Sequence, residues 1–206
     1  MSTFQLNAEY KSTRCAQDVF SVLIGNVPEK KKYQYKMLGA SWVETPLGPM
    51  IAVADEIKLY VLEFFDSRGL GKELERLKHK TNSMLIPEIT PPIVSIKNEL
   101  SLYFEGKLQH FMTPLCLLGS EFQKRVWTTL YSIPYGETRS YAEVALAIER
   151  PLAYRAAANA NGANQIALVI PCHRVITSNG SIGGYAGGIA RKEWLIQHEQ
   201  KNKRTR

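Results

Sequence analysis

The sequence contains little cysteine and no long apolar run. Only three of its 206 residues are cysteines, Cys15, Cys116 and Cys172, and they stand far apart. Thiols this few and this scattered exclude a disulfide framework and fit a reducing compartment. No stretch approaches the roughly 18 consecutive apolar residues of a membrane span, and residues 1–17 lack the basic and then apolar pattern of an export signal. These absences predict a cytoplasmic protein that does not engage a membrane.

Acidic residues are scarce in the second half of the chain. The formal net charge is +7, yet residues 1–118 contain 14 Lys and Arg against 13 Asp and Glu, whereas residues 119–206 contain 12 against 6. A basic half attracts polyanions, and nucleic acid is the commonest polyanion in a cytoplasm. The alternative is a charged surface that serves only solubility. Lys201, Lys203, Arg204 and Arg206 at the end of the chain supply four of these charges, so bulk charge alone does not decide between the two.

The overall composition is that of a globular protein. Hydrophobic residues make up 45% of the chain and charged residues 22%, which excludes a disordered tail or a fibrous repeat. A chain of 206 residues predicts one domain or two small ones. Residues 1–36 show little pattern beyond a short predicted helix over Asp18–Ile24, and they form an extension without an assigned role.

The first half predicts a small α+β domain. Strand-forming residues at 41–45 and 50–54 flank the Pro- and Gly-containing turn 46–49, which predicts a hairpin. A third strand is predicted over Lys58–Phe65. Leucines among charged residues predict a short amphipathic helix over 71–80, and a second helix is predicted from Pro91 to its end at Gly106. No paired carboxylates or phosphate-binding loop stand out in this half.

The second half predicts mostly helices. Ser120 with Gln123, and Ser140 with Glu143, are two capping-box signatures, each followed by an apolar stripe. A third helical segment begins at Pro151. Two short helices joined by a tight turn resemble a helix-turn-helix, although such a pair also occurs as a plain packing unit.

The most informative segment runs from Ile166 to Ile176. The apolar residues 166–170 predict a strand that ends at Pro171 and then presents Cys172 beside His173. A thiol reacts as the thiolate, so a nearby base or positive charge is needed, and His173 and Arg174 are candidates. The alternative is a buried cysteine that acts only as a small hydrophobic residue.

A glycine-rich loop and a final helix follow the cysteine. Five of the nine residues at 180–188 are glycines, which allow a ligand to approach the backbone closely, and Tyr185 among them can stack on a flat group. The helix predicted over residues 191–200 contains Glu199. A cysteine, a histidine, a distant acid and a glycine-walled pocket together predict covalent catalysis, on a substrate that these residues alone do not define.

These blocks resemble the O6-alkylguanine-DNA alkyltransferases, which are also called methylated-DNA–protein-cysteine methyltransferases. Residues 170–175, Ile-Pro-Cys-His-Arg-Val, are similar to the active-site signature of that family. Further similar blocks follow in the same order and spacing, and the resemblance covers about residues 40–199. The blocks lie at 45–49, 122–127, 133–138, 140–141, 155–156, 184–188, 191–195 and 198–199.

The resemblance implies a fold and a domain division. It implies a small ribonuclease-H-like α/β domain over residues 37–118, and a mostly helical winged helix-turn-helix domain over residues 119–206 that holds both the DNA-binding surface and the alkyl acceptor. No cofactor is implied. Some relatives bind zinc in the first domain, but Cys15, His79, His110 and Cys116 lack the paired close spacing of zinc ligands, so no metal is predicted.

The family also implies roles for single residues. Cys172 accepts the alkyl group, His173 acts as its base through a bound water, and Glu199 orients and polarises that histidine. Tyr141 faces N3 of the flipped guanine and helps to rotate the adjacent phosphate, and Asn164 braces the turn that leads to the cysteine.

Other residues are implied to contact the DNA or the flipped base. Arg155 is the finger that takes the place of the flipped base in the stack, because a base must leave the duplex before chemistry can reach it. The small side chains of Ala153, Ala156 and Ala158 let the recognition helix lie close to the walls of the minor groove. Backbone groups of Val175 and Ala186 meet the guanine edge, and Tyr185 closes the pocket.

The implied activity is DNA repair by direct reversal of damage. A monomer binds double-stranded DNA that contains O6-alkylguanine, with O4-alkylthymine left open, and transfers the alkyl group irreversibly to Cys172. Each molecule then acts once. Three alternatives remain at this stage: a lesion-binding relative without catalysis, a DNA-binding regulator that uses only the helix-turn-helix, and a cysteine hydrolase with a Cys-His-Glu set.

Overall fold

The computed structural model describes residues 20–22, 24–25 and 35–203. Residues 35–203 include a four-stranded sheet, six α-helices and a two-stranded parallel sheet of Arg139–Ser140 with Val175–Ile176. The strand order is β3-β2-β1-β4, in which β1 pairs antiparallel with β2 and parallel with β4. The strands are β1 (Lys36–Val43), β2 (Met50–Ala54), β3 (Leu59–Phe64) and β4 (Ser83–Pro87). The helices are α1 (Leu70–Thr81), α2 (Pro91–Phe104), α3 (Glu121–Tyr131), α4 (Tyr141–Ala147), α5 (Tyr154–Gly162) and α6 (Ile189–Asn202).

The predicted hairpin, third strand and two helices of the first half are confirmed. The first strand begins at Lys36, five residues before the predicted start, because its early residues pair with β4. Strand β4 itself escaped the sequence analysis. It is short, and its residues do not alternate between polar and apolar, because Met84 and Ile86 on the half-exposed face are apolar as well. The predicted helix Asp18–Ile24 lies partly outside the described residues, and Phe20, Ser21, Val22 and Ile24 within it are helical.

The sheet is buried on both faces. Alternate residues of β2 point to opposite sides, so Ala52 and Ala54 join one apolar cluster while Ile51 and Val53 join the other. Helix α1 covers the second cluster, and helix α2 together with the helices of the second half covers the first. The arrangement is therefore mixed α+β, with the larger core shared between the two halves of the chain.

Both capping boxes of the second half are confirmed. The Ser120 hydroxyl accepts from the Gln123 N–H at 3.2 Å while Gln123 accepts from the Ser120 N–H at 2.9 Å. Ser140 and Glu143 form the same reciprocal pair at 3.1 and 2.7 Å. Each box satisfies two N–H groups that a helix start would otherwise leave unpaired. A short 3-10 turn over Pro151–Ala153 then connects α4 to α5.

The strand predicted over Ile166–Ile170 is wrong. Only Ile166 forms a single bridge, to Leu62 on β3, and the next three residues form a turn in which Leu168 has a φ of 67°. The Leu62 N–H donates to the Gln165 carbonyl at 2.9 Å, and the Ala167 N–H donates to the Leu62 carbonyl at 2.7 Å. The run is apolar because it crosses the core, so its composition resembles that of a buried strand while its backbone folds back on itself.

Within the part of the chain that the structure describes, no helix combines the length and the apolar character that a membrane span requires.

Candidate active site

Cys172 begins a short 3-10 turn, Cys172–Arg174, at the end of the buried run. Its side chain is buried, with the residue 6% exposed. The Asn164 amide donates to the Cys172 sulfur at 3.1 Å and to the Ile170 carbonyl at 2.8 Å. The same amide oxygen accepts from the Ile166 N–H at 3.0 Å. Asn164 therefore contacts both the turn and the thiol.

The Cys172 thiol is protonated at neutral pH. Burial raises its pKa to about 12, against the opposing effect of the Asn164 hydrogen bond. A desolvated thiolate is unstable without compensating charge, so the resting state keeps the proton on sulfur. Any reaction of this thiol as a nucleophile requires a base that takes the proton as the new bond forms.

His173 and Glu199 form a buried pair behind the cysteine. The imidazole Nε2 lies 2.8 Å from Glu199 Oε1, and both side chains are almost completely buried. A carboxylate only accepts hydrogen bonds, so Nε2 carries the proton and Nδ1 presents its lone pair. Burial lowers the pKa of His173, which keeps the ring neutral, and its Nδ1 is buried without a hydrogen-bond partner. His173 thus has one nitrogen fixed by the acid and one available to accept a proton.

The Glu199 carboxylate is surrounded by donors. Arg174 donates to it from Nε at 2.8 Å and from Nη2 at 3.0 Å. The Tyr103 hydroxyl donates at 2.7 Å and the Gly136 N–H at 3.1 Å. Burial alone would raise the pKa of Glu199, but the His173 and Arg174 partners hold it well below its usual range. This carboxylate is therefore a fixed negative charge that orients the imidazole.

A cavity of about 520 Å³ lies beside the thiol. It is large enough for a flat heterocycle and a substituent. Its wall is formed by residues from β3, from α5, from the turn before Cys172 and from the glycine-rich loop. The lining residues are Glu63, Arg68, Tyr141, Ala158, Asn159, Asn161, Gly162, Asn164, Ala167, Cys172, Thr177, Gly183, Gly184, Tyr185 and Ala186.

Two tyrosines, Tyr141 and Tyr185, line the wall of the cavity. Tyr141 is the first residue of α4, and its ring lies 5.9 Å from the Lys192 ammonium. The Tyr185 hydroxyl is buried without a partner, and burial raises the pKa of both phenols. Both therefore remain protonated and can donate a hydrogen bond to a molecule in the cavity.

The glycine-rich loop packs closely against the sheet. A Cβ atom at Gly187 would lie 2.9 Å from the rings of both Phe64 and Tyr185, so glycine is required for this approach. Lys192 connects the same loop to Val175. Its buried ammonium donates to the Val175 carbonyl at 2.5 Å and to the Gly184 carbonyl at 3.2 Å. Burial lowers the pKa of Lys192 to about 8.

Helix α5 presents Arg155 to solvent. Its opposite side is fixed to the core, since Ala157 and Ala160 are buried and the Trp127 indole donates to the Ala160 carbonyl at 2.8 Å. The Arg155 guanidinium lies 5.6 Å from the Tyr154 ring. Ala153 and Ala156 also lie outside the core.

The structure brings most of the predicted site residues together. Cys172, Tyr141, Asn164, Tyr185 and Ala186 share the cavity wall, and Ala158 reaches its edge. His173 and Glu199 lie behind the thiol. Val175 does not line the cavity; it is buried, and its carbonyl is already bonded to Lys192.

Tyr103, Lys192 and Glu63 were missed by the sequence analysis. Tyr103 is fully buried on the apolar stripe of α2, which has the helical spacing 93, 96, 100, 103. That spacing was available as a signal. Lys192 and Glu63 have no such signal, because the residues around a single charged residue do not indicate that it is buried.

No group of three His, Cys, Asp or Glu side chains that could hold a metal ion occurs among the residues described by the structure. Cys15 lies outside those residues, so the absence of a zinc site stays a prediction.

Together these features define a class of protein: one with a buried cysteine nucleophile, a His–Glu pair behind it, and a cavity bordered by a short helix pair. Residues 121–201 match the family described as "6-O-methylguanine DNA methyltransferase, DNA binding domain". The chain is 42% identical over 171 residues to the methylated-DNA–protein-cysteine methyltransferase of Methanosarcina barkeri, covering 79% of this chain and 97% of that relative. It is 40% identical over 159 residues to the enzyme of the same name from Salmonella typhimurium, covering 76% and 92%.

A solved structure supports the same assignment. The fold is similar to that of Mycobacterium tuberculosis OGT in complex with DNA, with a TM-score of 0.69, 36% identity, and coverage of 80% of this chain and 94% of that one. The chain belongs to the methylated-DNA–protein-cysteine methyltransferase family.

Proposed function

We propose that this protein repairs alkylated DNA by transferring the alkyl group from O6 of guanine to the sulfur of Cys172. The observation that carries the proposal is the position of this thiol, which lies on the wall of a cavity of about 520 Å³ and directly precedes a buried histidine paired to a carboxylate. Membership of the family supplies the reaction class. The activity is that of a methylated-DNA–protein-cysteine methyltransferase.

The chemistry is a displacement at the alkyl carbon. A carbon–sulfur bond forms while the bond from that carbon to O6 of guanine breaks. His173 Nδ1 takes the thiol proton through a water, and Glu199 stabilises the imidazolium that results. Tyr141 gives its phenolic proton to N3 of guanine as the base departs, and the proton that His173 took from the thiol then restores the phenol through solvent. The net result moves the thiol proton to guanine and leaves a thioether.

The thioether product makes the protein a single-use reagent. Water does not cleave a carbon–sulfur bond of this kind, and the reaction uses no cofactor. The protonated resting state of Cys172, with its pKa raised to about 12 by burial, restricts nucleophilicity to the complex in which the lesion is in place.

DNA is the proposed partner, bound as a duplex through its minor groove by a monomer. Arg155 is exposed at the start of α5 and fills the gap left by the flipped base. The side chains of Ala153, Ala156 and Ala158 are small, so this part of the chain can approach the walls of a narrow groove closely. Helices α4 and α5 are the proposed helix-turn-helix, in a winged form.

The pocket for the flipped base is proposed between Tyr141, Tyr185 and Ala186. The unpartnered Tyr185 hydroxyl points to an occupant that accepts a hydrogen bond. The Val175 carbonyl accepts one hydrogen bond from Lys192 and keeps its second lone pair for the guanine edge. The same proposal includes a division of the chain and a location. It comprises a ribonuclease-H-like first domain over 37–118, a second domain over 119–206, a separate extension over 1–36 and a cytoplasmic location.

Intact mass spectrometry tests the reaction. The reduced protein is incubated with a duplex oligonucleotide that carries O6-methylguanine. We expect one methyl adduct per molecule, located on Cys172 and absent from Cys172→Ala. Cys116→Ala is the matched control and keeps the adduct, because Cys116 is a free thiol outside the cavity. A reduced, folded protein that acquires no methyl group would disprove the proposal.

The same assay examines Arg155. With Arg155→Ala, transfer from the duplex should slow more than transfer from a free alkylated base, since only the duplex must be kept open by the finger. An equal loss on both substrates would contradict that role.

A further inference from the structure

Glu63 is a buried carboxyl, and its burial does not stabilise the fold. It is the only charged residue of β3 and is 9% exposed. The residue before it, Leu62, forms the two backbone hydrogen bonds to Gln165 and Ala167 that attach the active-site run to the edge of the sheet. Glu63 is therefore held beside the segment that ends at Cys172.

No cation among the described residues forms an ion pair with this carboxyl. Glu63 Oε1 accepts from the Phe64 N–H at 2.9 Å, and Ser67 provides a second hydrogen bond. None of the ion pairs formed within residues 35–203 includes Glu63. Arg191 is near enough to act through space, but its guanidinium is bonded to Asp66, Leu47 and Gly187. A buried carboxyl without a paired cation is costly, which favours a functional reason for its presence.

Glu63 lines the cavity that contains the thiol. It also lines a second, smaller cavity of about 60 Å³, which shares Arg68, Gly162, Asn164 and Ala186 with the first. The space beside Cys172 therefore extends towards Glu63. In the proposed reaction the transferred carbon must lie at the Cys172 sulfur, so any further atoms of the alkyl group occupy this same space.

We propose that Glu63 determines which alkyl groups the protein accepts, by admitting neutral substituents and discriminating against anionic ones. The inference rests on the proposed function and adds a selectivity for the charge of the lesion. A carboxylate on the alkyl group would lie in a buried cavity with the Glu63 carboxylate, where like charges repel much more strongly than in water. Arg68 is a cation on the cavity wall, but it is exposed to solvent and is therefore screened.

The protonation state of Glu63 makes the selectivity depend on pH. Burial raises its pKa to about 7, so its charge appears between pH 6 and pH 8. Among the described residues, the charged or titratable groups around it are Asp66 and Arg68 after β3, Glu73 on α1, Tyr141 on α4, Arg191 and Lys192 on α6, Cys172 and Tyr185. Lys192 loses its positive charge near pH 8, which also increases the preference for the neutral lesion as the pH rises. The Glu63→Gln variant retains this contribution of Lys192.

The test compares two lesions of equal size and different charge. Duplexes carry either O6-carboxymethylguanine, which is anionic, or O6-carbamoylmethylguanine, which is its neutral amide. The rate of alkyl transfer to Cys172 is measured by intact mass for the wild type and for Glu63→Gln. We expect the preference of the wild type for the neutral lesion to fall by about tenfold or more in Glu63→Gln at pH 7.5. Using the ratio of the two rates cancels any change in thiol reactivity that both lesions share.

The controls separate the possible explanations. Glu75→Gln on the exposed face of α1 makes the same change of charge outside the cavity and should leave the ratio unchanged. In the wild type, whose folding is not in question, the preference should increase between pH 6.0 and 7.5 and should increase less in Glu63→Gln.

Two results would overturn the inference: a rate ratio unaffected by Glu63→Gln, or a wild-type ratio that does not change with pH. Transfer of a methyl group from O6-methylguanine by the wild type shows independently whether the proposed function holds, so failure of the selectivity is distinguishable from failure of the reaction.

Discussion

Glu199 and Glu63 are both buried near Cys172, yet their environments push their pKa values in opposite directions. Glu199 is 1% exposed and receives hydrogen bonds from His173, Arg174, Tyr103 and the Gly136 N–H. Its pKa is held well below the usual range. Glu63 is 9% exposed and lacks an ion pair among the described residues, and burial raises its pKa to about 7. Burial alone does not set the charge of a carboxyl; the donors around it do.

The two carboxyls therefore suit different tasks. Glu199 keeps a constant charge, which fixes the orientation and the tautomer of His173. Glu63 changes its charge near neutral pH and faces the cavity, where a substrate can sense it. The three predictions below test this contrast, in order of decreasing expected effect.

The largest effect is expected for Glu199→Gln. The variant leaves Arg174 buried without its anionic partner, which costs about 3–5 kcal/mol of folding free energy. It also releases the His173 imidazole, so alkyl transfer should slow by roughly 100-fold or more. Urea unfolding measures the first quantity and single-turnover mass spectrometry the second.

Glu137→Gln is the matched control, because Glu137 is a partly exposed carboxylate paired with Lys203 and Arg139. It should change the unfolding free energy far less than Glu199→Gln does, because solvent screens a surface ion pair. If Glu199→Gln changed the unfolding free energy as little as Glu137→Gln, the Glu199 carboxylate would not be the fixed negative charge described above.

The intermediate effect is the pH dependence of stability that Glu63 imposes. Its folded pKa of about 7 lies above the ordinary value, so the folded state binds the proton more tightly. This contribution is fully present below about pH 4.5 and is lost as the pH rises through 7, a loss on the order of 3 kcal/mol. Glu63→Gln has no such group. Thermal or urea unfolding should show the variant gaining stability relative to the wild type between pH 5 and pH 8, whereas Glu75→Gln should show no trend.

The smallest effect is expected for Tyr103→Phe. It removes one donor from Glu199, worth about 1 kcal/mol at pH 7. The loss of this donor also raises the pKa of Glu199, so the acid unfolding of the variant should begin at higher pH than that of the wild type. Tyr131→Phe, which removes a tyrosine hydrogen bond to the Phe111 carbonyl, should lower stability without moving the acid limb. Identical acid limbs would show that Tyr103 only fills space.

The local signals in the sequence predicted much of the fold. Both capping boxes, the hairpin and the helix of residues 93–104 rest on interactions between neighbours in sequence, and these determined the structure as expected. The order and spacing of the blocks around Cys172 predicted the family. The roles assigned to single residues stay predictions until variants are tested.

The errors share one physical cause, which is tertiary contact. The run Ile166–Ile170 has the composition of a strand, but apolar composition cannot distinguish a buried strand from a buried turn. Its conformation depends on Leu62, about a hundred residues earlier, and on the Asn164 side chain. Glu63 and Lys192 were missed for the same reason, since their burial results from the packing of distant segments.

The single bridge between Leu62 and Ile166 has a consequence for how the molecule unfolds. It joins the open edge of the sheet to the run that positions Cys172, and the apolar cluster around it includes Phe64 from the first half and Val126 from the second. The two halves therefore lose their packing together rather than one after the other. We expect a substitution that loosens this shared cluster also to expose the Cys172 thiol.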